Sequence, residues 1–206
     1  VTLLGQNVNS FHHEGRRFHE LLHEVSQIEG IERIRYTSPH PQDFDDELIE
    51  VHATNPKICN HIHFPLQAGS DEVLDRMNRT YTKQHFLDLA QKMRDNIPGL
   101  ALSTDMIVGF PGETEADFLE TLDVMEQVKF DTAFTFKYSS RPGTKAAEFE
   151  DTVAEDDKQD RLQRMITMQR EHTLLRNREH IGERVEVLVE KNSKKAENQH
   201  QGRTRS

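Results

Sequence analysis

Polar side chains that could bind a ligand follow each apolar, strand-like run of this sequence. Groups of this kind hold a small polar ligand through hydrogen bonds. They are Gln6, Asn7 and Asn9; Thr37, Ser38 and His40; Gln67 and Ser70; Glu113; and Tyr138, Ser139 and Arg141. For any single residue, the simpler interpretation is that loops are polar in general. Taken together they favour one site, because the carboxyl ends of parallel strands share an edge.

Asp105 and the turn after it are the strongest candidates for ligand contact. Asp105 lies inside the apolar run 101–110, where a carboxylate needs a hydroxyl, an N–H group or a cation as its partner. The turn 109–113 then joins this strand to a helix that Thr114 is predicted to cap. Glycines in such a turn let the backbone approach a ligand, and helix N–H groups face it. Glu113 could contact the ligand or simply favour the helix N-terminus.

Motifs for metal binding, disulfides and nucleotide loops are weak or missing in this sequence. Cys59 is the only cysteine, which excludes a disulfide framework or a multi-cysteine metal site within this chain. His61 and His63 share one face of a strand but lack a plausible third ligand, so we expect packed, hydrogen-bonded histidines. The Gly109-Phe-Pro-Gly112 segment has neither the Lys-Ser/Thr pair of a P-loop nor the third glycine of a Rossmann turn.

Five strand-like runs alternate with helical patterns along the first three quarters of the chain. Alternation in units of roughly 30 to 40 residues predicts an α/β fold, in which right-handed crossovers connect the strands of a parallel sheet. A partial β/α barrel and an open doubly wound sheet both satisfy this pattern. The predicted strands cover 1–8, 31–38, 61–66, 101–110 and 132–139, and the predicted helices cover 18–28, 44–49, 83–97 and 114–128, with a further one starting at Ser70.

The last quarter of the chain differs from the rest in charge. A long helix is predicted over 158–180, followed by a strand over 185–189 and a polar segment over 191–206. Residues 158–206 hold 12 Lys/Arg and 7 Asp/Glu, whereas residues 1–157 hold 14 Lys/Arg and 29 Asp/Glu. The formal net charge of the whole chain is -10. A basic tail on an acidic body suits a polyanion, although a solvated surface explains it equally well. The sequence has neither a long apolar run nor a secretory signal, so we expect a cytoplasmic protein without a membrane span.

Five segments, in the same order through essentially the whole chain, resemble the radical S-adenosylmethionine methylthiotransferases of the MiaB type, which modify tRNA. They are Leu4-Gly-Gln-Asn-Val-Asn9, Thr37-Ser-Pro-His-Pro41, Pro65-Leu-Gln-Ala-Gly-Ser70, Asp105-Met-Ile-Val-Gly-Phe-Pro-Gly-Glu-Thr114 and Tyr138-Ser-Ser-Arg-Pro-Gly-Thr144. The resemblance implies a partial radical SAM (TIM-like) β/α barrel over 1–147 whose first strand and cluster loop are missing. It further implies a linker and long helix over 148–183 and the start of an RNA-binding TRAM domain over 184–206.

The resemblance also implies the chemistry. A 4Fe-4S cluster on a Cys-x3-Cys-x2-Cys loop reduces S-adenosylmethionine to a radical, which attacks carbon 2 of N6-isopentenyladenosine at position 37 of tRNA. A second 4Fe-4S cluster supplies the methylthio group, and flavodoxin or ferredoxin supplies electrons. Because neither cysteine set occurs in this chain, we expect a monomeric fragment that ligates no cluster and is inactive alone, with the missing cysteines upstream of Val1. The alternatives are a ribosomal-protein aspartate methylthiotransferase and a non-catalytic RNA-binding module with a barrel relic.

The same resemblance assigns individual residues. Gln67 and Asp105 match positions that hold the ribose and amino groups of S-adenosylmethionine, and Arg79 matches an arginine on its carboxylate. Ile107 would pack on adenine. Further candidates for the same ligand are Gln6, Asn7 and Tyr138. The candidates for RNA phosphates are Arg141, Lys194, Lys195, Arg203 and Arg205.

Overall fold

The computed structural model describes residues 1–193 and 198–206. The strands are β1 (Thr2–Leu3), β2 (His12–His13), β3 (Arg16–Arg17), β4 (Arg35–Tyr36), β5 (His61–His63), β6 (Ala101–Val108), β7 (Thr132–Lys137), β8 (Leu188–Asn192) and β9 (His200–Arg203). The α-helices are α1 (Phe18–Gln27), α2 (Asp46–Thr54), α3 (Asp71–Arg76), α4 (Lys83–Asn96), α5 (Glu115–Val128) and α6 (Glu155–Glu179). Short 3-10 turns cover Val8–Ser10, Pro41–Asp43 and Lys145–Glu148.

Five of the strands run in chain order as two parallel sheets, β1–β4 and β5–β6–β7, which one isolated bridge joins into an open arrangement. β1 pairs with β4, β5 with β6, and β6 with β7, all in parallel. A parallel bridge between Ile34 and Ile58 joins the two groups, and Cys59 N–H donates to the Ile34 carbonyl over 3.0 Å. Helices in the connections make this order the natural result of right-handed crossovers. The predicted α/β fold with a partial barrel is therefore confirmed.

The two faces of this sheet differ in burial. Ile62, Leu102 and Met106 lie on the face that the helices cover, and each is fully buried. The helices contribute the large apolar side chains of the same core: Phe18, Leu22, Leu48, Phe86, Met93, Phe118 and Met125. Burying one such side chain contributes roughly 1.5–3 kcal/mol. The alternate residues of the strands lie on the other, partly open face, which corresponds to the interior of a barrel.

Local signals explain most helix boundaries. Thr114 caps α5 as predicted, because its hydroxyl accepts from the Asp117 N–H (3.2 Å) while the Asp117 carboxylate accepts from the Thr114 N–H (2.9 Å). α6 begins at Glu155, three residues before the predicted start, and its first turn carries three acidic residues that suit a helix N-terminus. Side-chain capping therefore sets the start of α5, and the acidic first turn favours the early start of α6.

The structure differs from the predicted strands at both ends of the chain. The first strand spans only Thr2–Leu3, because Asn7 adopts a left-handed conformation (φ 54°) and a 3-10 turn follows. A short hairpin of β2 and β3 was not predicted. Near the other end, the predicted strand over 185–189 is displaced to Leu188–Asn192, where β9 is its antiparallel partner.

The described residues of 184–206 contact the amino end of β4 through arginine side chains. Arg33 Nη1 donates to the Arg203 carbonyl (2.6 Å), and Arg35 Nη2 donates to the Thr204 carbonyl (2.7 Å). In return, the Arg205 guanidinium donates to carbonyl groups just before β5. Among the helices within 1–193 and 198–206, none has the length and apolar composition of a membrane span.

Candidate functional site

β6 places Asp105 and Ile107 on the open face of the sheet. Asp105 lies opposite Phe134 of β7, and Ile107 lies opposite Phe136. The two phenylalanines are 52% and 53% exposed, and the Asp105 side chain is 33% exposed. An ionisable group among apolar contacts is typical of a small-molecule site. Neither phenylalanine is among the residues predicted from the sequence, although their alternation along 132–137 and the parallel register indicate them.

Asp105 has an imidazole as the partner that its position in the strand requires. His63 Nε2 lies 3.2 Å from Asp105 Oδ2, and His63 Nδ1 lies 3.0 Å from Ser103 Oγ. Ser103 Oγ is in turn 3.1 Å from His61 Nε2. Burial, reinforced by the nearby Arg35 cation, lowers the pKa of His61 to about 4. The two histidines are thus hydrogen-bonded on the open face, as the sequence predicts, and His61 is neutral near pH 7.

Gln67 is held next to Asp105 and Ile107 by its backbone. Its N–H donates to the Asp105 carbonyl (2.8 Å), and its carbonyl accepts from the Ile107 N–H (2.9 Å). Gln67 also adopts a left-handed conformation with φ 70°. For a residue with a side chain this conformation costs about 1 kcal/mol or more, and such strain occurs preferentially at ligand sites. Three residues assigned to S-adenosylmethionine therefore share one corner of the sheet.

Arg79 lies in the connection between α3 and α4, close to His40 in the loop after β4. Its Nε atom is buried and has no hydrogen-bond partner. Burial, together with the positive charge of Arg79, lowers the pKa of the neighbouring His40. The ring of His40 in turn packs edge-on against Tyr81, with 5.6 Å between centroids. An arginine with an unused buried donor is suited to bind an anionic group such as a carboxylate.

The loop after β1 also bonds to His40, in the region around Arg79 that we call the rim. Asn9 and His40 exchange two hydrogen bonds, from Asn9 Nδ2 to the His40 carbonyl (2.9 Å) and from the His40 N–H to Asn9 Oδ1 (2.7 Å). Asn7 Nδ2 donates to Asp43 Oδ2 (2.7 Å), while Asn7 Oδ1 is buried without a partner. Gln6 is exposed. The structure therefore brings Asn7 to the rim and leaves Gln6 on the surface.

Glu113 supports the turn from inside the protein. Its carboxylate accepts from the Gly109 N–H (3.0 Å) and from Arg161 Nη1 of α6 (2.7 Å), and it is buried. Burial raises the pKa of Glu113, while Gly109 and Arg161 oppose this shift. Gly109 (φ 70°) and Gly112 (φ 79°) adopt conformations that favour glycine. Glu113 therefore connects the turn after β6 to α6, and its carboxylate is directed into the protein.

The remaining candidates are spread over other parts of the chain. Tyr138 donates its hydroxyl to the Ala146 carbonyl (3.0 Å), and its ring packs on Phe110 with 5.1 Å between centroids. Arg141 is exposed. Arg203 Nε donates to Glu190 Oε1 (2.8 Å), and Arg205 Nη2 donates to the Ile58 carbonyl (2.9 Å). Lys194 and Lys195 lie outside the described residues. Of these residues, Tyr138 lies beside the carboxyl end of β6, because its N–H donates to the Val108 carbonyl over 2.8 Å. Arg203 and Arg205 are bonded to other parts of the chain.

The residues present do not fit an iron–sulfur cluster. Cys59 is the single cysteine of the sequence, and it is 1% exposed within the sheet. Within 1–193 and 198–206, no three His, Cys, Asp or Glu side chains are arranged to hold a metal ion. The corner around Asp105 and the rim around Arg79 do fit S-adenosylmethionine, because they offer an open carboxylate, apolar contacts and a buried cationic donor without a partner.

Comparisons with known proteins agree with this architecture. The Radical SAM superfamily model matches residues 1–125. The chain is 51% identical over 209 residues to the tRNA-2-methylthio-N(6)-dimethylallyladenosine synthase of Thermoanaerobacter sp. (strain X514), with 100% of this chain and 44% of the relative covered. For the protein of that name from Acetivibrio thermocellus, the identity is 50% over 208 residues and the coverage is 100% and 43%. The chain thus spans less than half the length of these curated relatives.

A solved structure with low sequence identity to this chain has a similar fold. Coproporphyrinogen III oxidase (HemN) from Escherichia coli, described as a radical SAM enzyme, superposes with a TM-score of 0.59 at 21% identity. The superposition covers 75% of this chain and 36% of that enzyme. The open parallel sheet, the match of the family model and the related sequences together establish that the chain belongs to the radical SAM superfamily.

Proposed function

We propose that this chain is the S-adenosylmethionine-binding core of a MiaB-type tRNA methylthiotransferase, which adds a methylthio group to carbon 2 of N6-isopentenyladenosine. The observation that carries the proposal is the 51% identity, through the whole chain, to a protein named tRNA-2-methylthio-N(6)-dimethylallyladenosine synthase. The alignment covers both the proposed barrel and the segment after it. It favours the tRNA substrate over a ribosomal-protein aspartate and over a module without chemistry.

In this proposal the open corner of the sheet holds S-adenosylmethionine, which supplies an adenosyl radical to the reaction when it is reduced. Asp105 and Gln67 bind its ribose and amino groups, and Ile107 packs on the adenine. Arg79 pairs with the methionyl carboxylate, since its buried Nε has no other partner. The exposed rings of Phe134 and Phe136, on the neighbouring strand β7, exclude water from that side of the ligand.

Asn7, Gln6 and Tyr138 complete the proposed cofactor site. Asn7 has a buried, unpartnered Oδ1 at the rim, which suits a donor on the ligand. Gln6 is exposed on the same loop. The Tyr138 hydroxyl already donates to the Ala146 carbonyl, so in this proposal the ring rather than the hydroxyl contacts the ligand.

The remaining elements of the proposal concern the whole enzyme. We place a radical SAM barrel at 1–147, a linker and long helix at 148–183 and the start of a TRAM domain at 184–206. Arg141, Lys194, Lys195, Arg203 and Arg205 contact RNA phosphates, which requires Arg203 and Arg205 to exchange their present partners. Two 4Fe-4S clusters held outside this chain, a flavodoxin or ferredoxin as electron donor, a monomeric state and a cytoplasmic location belong to the same proposal.

The test uses the complete gene product in a bacterial strain that lacks its own methylthiotransferase. tRNA is hydrolysed, and 2-methylthio-N6-isopentenyladenosine is measured by mass spectrometry. We expect the nucleoside to appear with the native protein and with the exposed control Glu32→Gln, but not with Asp105→Asn. Unchanged tRNA together with a methylthiolated ribosomal-protein aspartate would establish the first alternative. Binding of tRNA without any modified product would establish the RNA-binding module.

A further inference from the structure

A chain of hydrogen bonds on the open face of the sheet ends at the carboxylate of Asp105. It runs from His61 Nε2 to Ser103 Oγ (3.1 Å), from Ser103 Oγ to His63 Nδ1 (3.0 Å) and from His63 Nε2 to Asp105 Oδ2 (3.2 Å). Its members alternate between two neighbouring strands whose register pairs His63 with Ser103. Strand register therefore fixes the relative positions of these side chains.

The direction of these bonds follows from what each group can donate. The bond to a carboxylate oxygen of Asp105 places a proton on His63 Nε2, because a carboxylate oxygen accepts. In the neutral imidazole Nδ1 is then an acceptor, and Ser103 donates its hydroxyl proton to it. The Ser103 oxygen can in turn accept from Nε2–H of His61, a ring whose pKa is lowered to about 4 and which is therefore neutral near pH 7. Every group in the chain has one consistent role.

The surroundings of His63 confine its ring. The edge of Phe134 packs against it from β7, with 6.2 Å between ring centroids. Charged groups lie at both ends of this chain of hydrogen bonds. The Asp105 carboxylate faces His63, and Arg35 and Asp131 act electrostatically on His61. The ring is thus held by two hydrogen bonds and one aromatic contact, and its Nε2 proton is directed at a carboxylate that is still partly open.

From this geometry we infer that His63 is a positioning residue that holds the carboxylate of Asp105 in the orientation that binds S-adenosylmethionine. The inference rests on the proposed function, because it takes Asp105 as a ligand contact. One oxygen of Asp105 is occupied by His63, which leaves the other for the cofactor. A carboxylate on an open sheet face would otherwise sample several rotamers, and ordering it at the moment of binding would weaken affinity.

The test measures the affinity for S-adenosylmethionine by calorimetry on the complete, cluster-loaded protein. We expect His63→Leu to weaken binding about tenfold, since a hydrogen bond to a charged group contributes that much or more. His63→Gln keeps an N–H donor at similar reach and should restore most of the affinity. His63→Asn keeps only the contact with Ser103 and should behave like His63→Leu. The exposed histidine variant His85→Leu serves as the control and should bind normally.

Turnover separates a positioning role from a structural one. With His63→Leu we expect the KM for S-adenosylmethionine to rise more than kcat falls, at an unchanged melting temperature. If Asp105→Asn weakens binding but His63→Leu does not, the inference is wrong and the cofactor site stands. If His63→Leu and His63→Gln weaken it equally, the N–H donor at this position does not set the affinity and the inference is again wrong. If Asp105→Asn binds normally, the site assignment fails together with the inference.

Discussion

Replacing Arg161 with methionine is expected to lower the free energy of unfolding by about 3 kcal/mol at neutral pH. The guanidinium donates to Glu113 Oε1 (2.7 Å) and to the Glu113 carbonyl (3.1 Å), and the two side chains are only 8% and 2% exposed. Methionine fills a similar volume, so cavity formation contributes little. The variant would leave a buried carboxylate whose remaining partner is the Gly109 N–H, and this uncompensated charge accounts for the loss.

Urea denaturation followed by circular dichroism measures this effect, with Arg164→Met as the matched control. Arg164 lies one turn further along α6 and pairs with Glu115 (2.8 Å) at the surface, so its loss should cost about 1 kcal/mol or less. The double variant Arg161→Met with Glu113→Leu should lose clearly less than the sum of the two single changes, because no charge stays unpaired.

The pH dependence of the same variant follows from the buried carboxylate. Burial already raises the pKa of Glu113, and removing Arg161 raises it further. A folded state with the higher carboxyl pKa binds more protons, so the deficit of Arg161→Met should shrink as the pH falls through that pKa. Additive losses in the double variant, or a loss no larger than that of Arg164→Met, would refute the reasoning.

Three other predictions concern a buried histidine, a close backbone contact and the C-terminal segment. Burial lowers the pKa of His52 from 6.5 to about 4, so the chain should lose about 3 kcal/mol of stability as the pH falls from 6.5 to 4, and His52→Gln should flatten that slope in urea titrations. Gly69→Ala should destabilise the chain, because its Cβ would meet the Thr121 Cα at 2.5 Å, whereas Gly5→Ala meets nothing closer than 3.7 Å; equal melting temperatures would contradict this. Arg205→Ala should speed proteolysis within 184–206 without exposing the sheet to hydrogen exchange, and unchanged cleavage would show that its carbonyl contacts do not hold the segment.

Much of the fold could be predicted because its signals are local. Apolar residues at helical spacing mark α1, α4 and α5, and Thr114 with Asp117 marks the start of α5. Asn7 and Gln67 could not be predicted in the same way. Their left-handed backbones are stabilised by partners from other loops and strands, and no local pattern shows those partners.

In the candidate site too, some features follow from the local sequence and others depend on distant partners. From the sequence one can infer that Asp105, in an apolar strand, requires a polar partner, and that Gln67 and Asp105 match a radical SAM pattern. The three-dimensional packing identifies this partner as His63 and the neighbouring ring as Phe134. It also decided that Glu113 faces inward. The physical reason is that strand register and helix packing join residues distant in sequence, so partner choice depends on the assembled core.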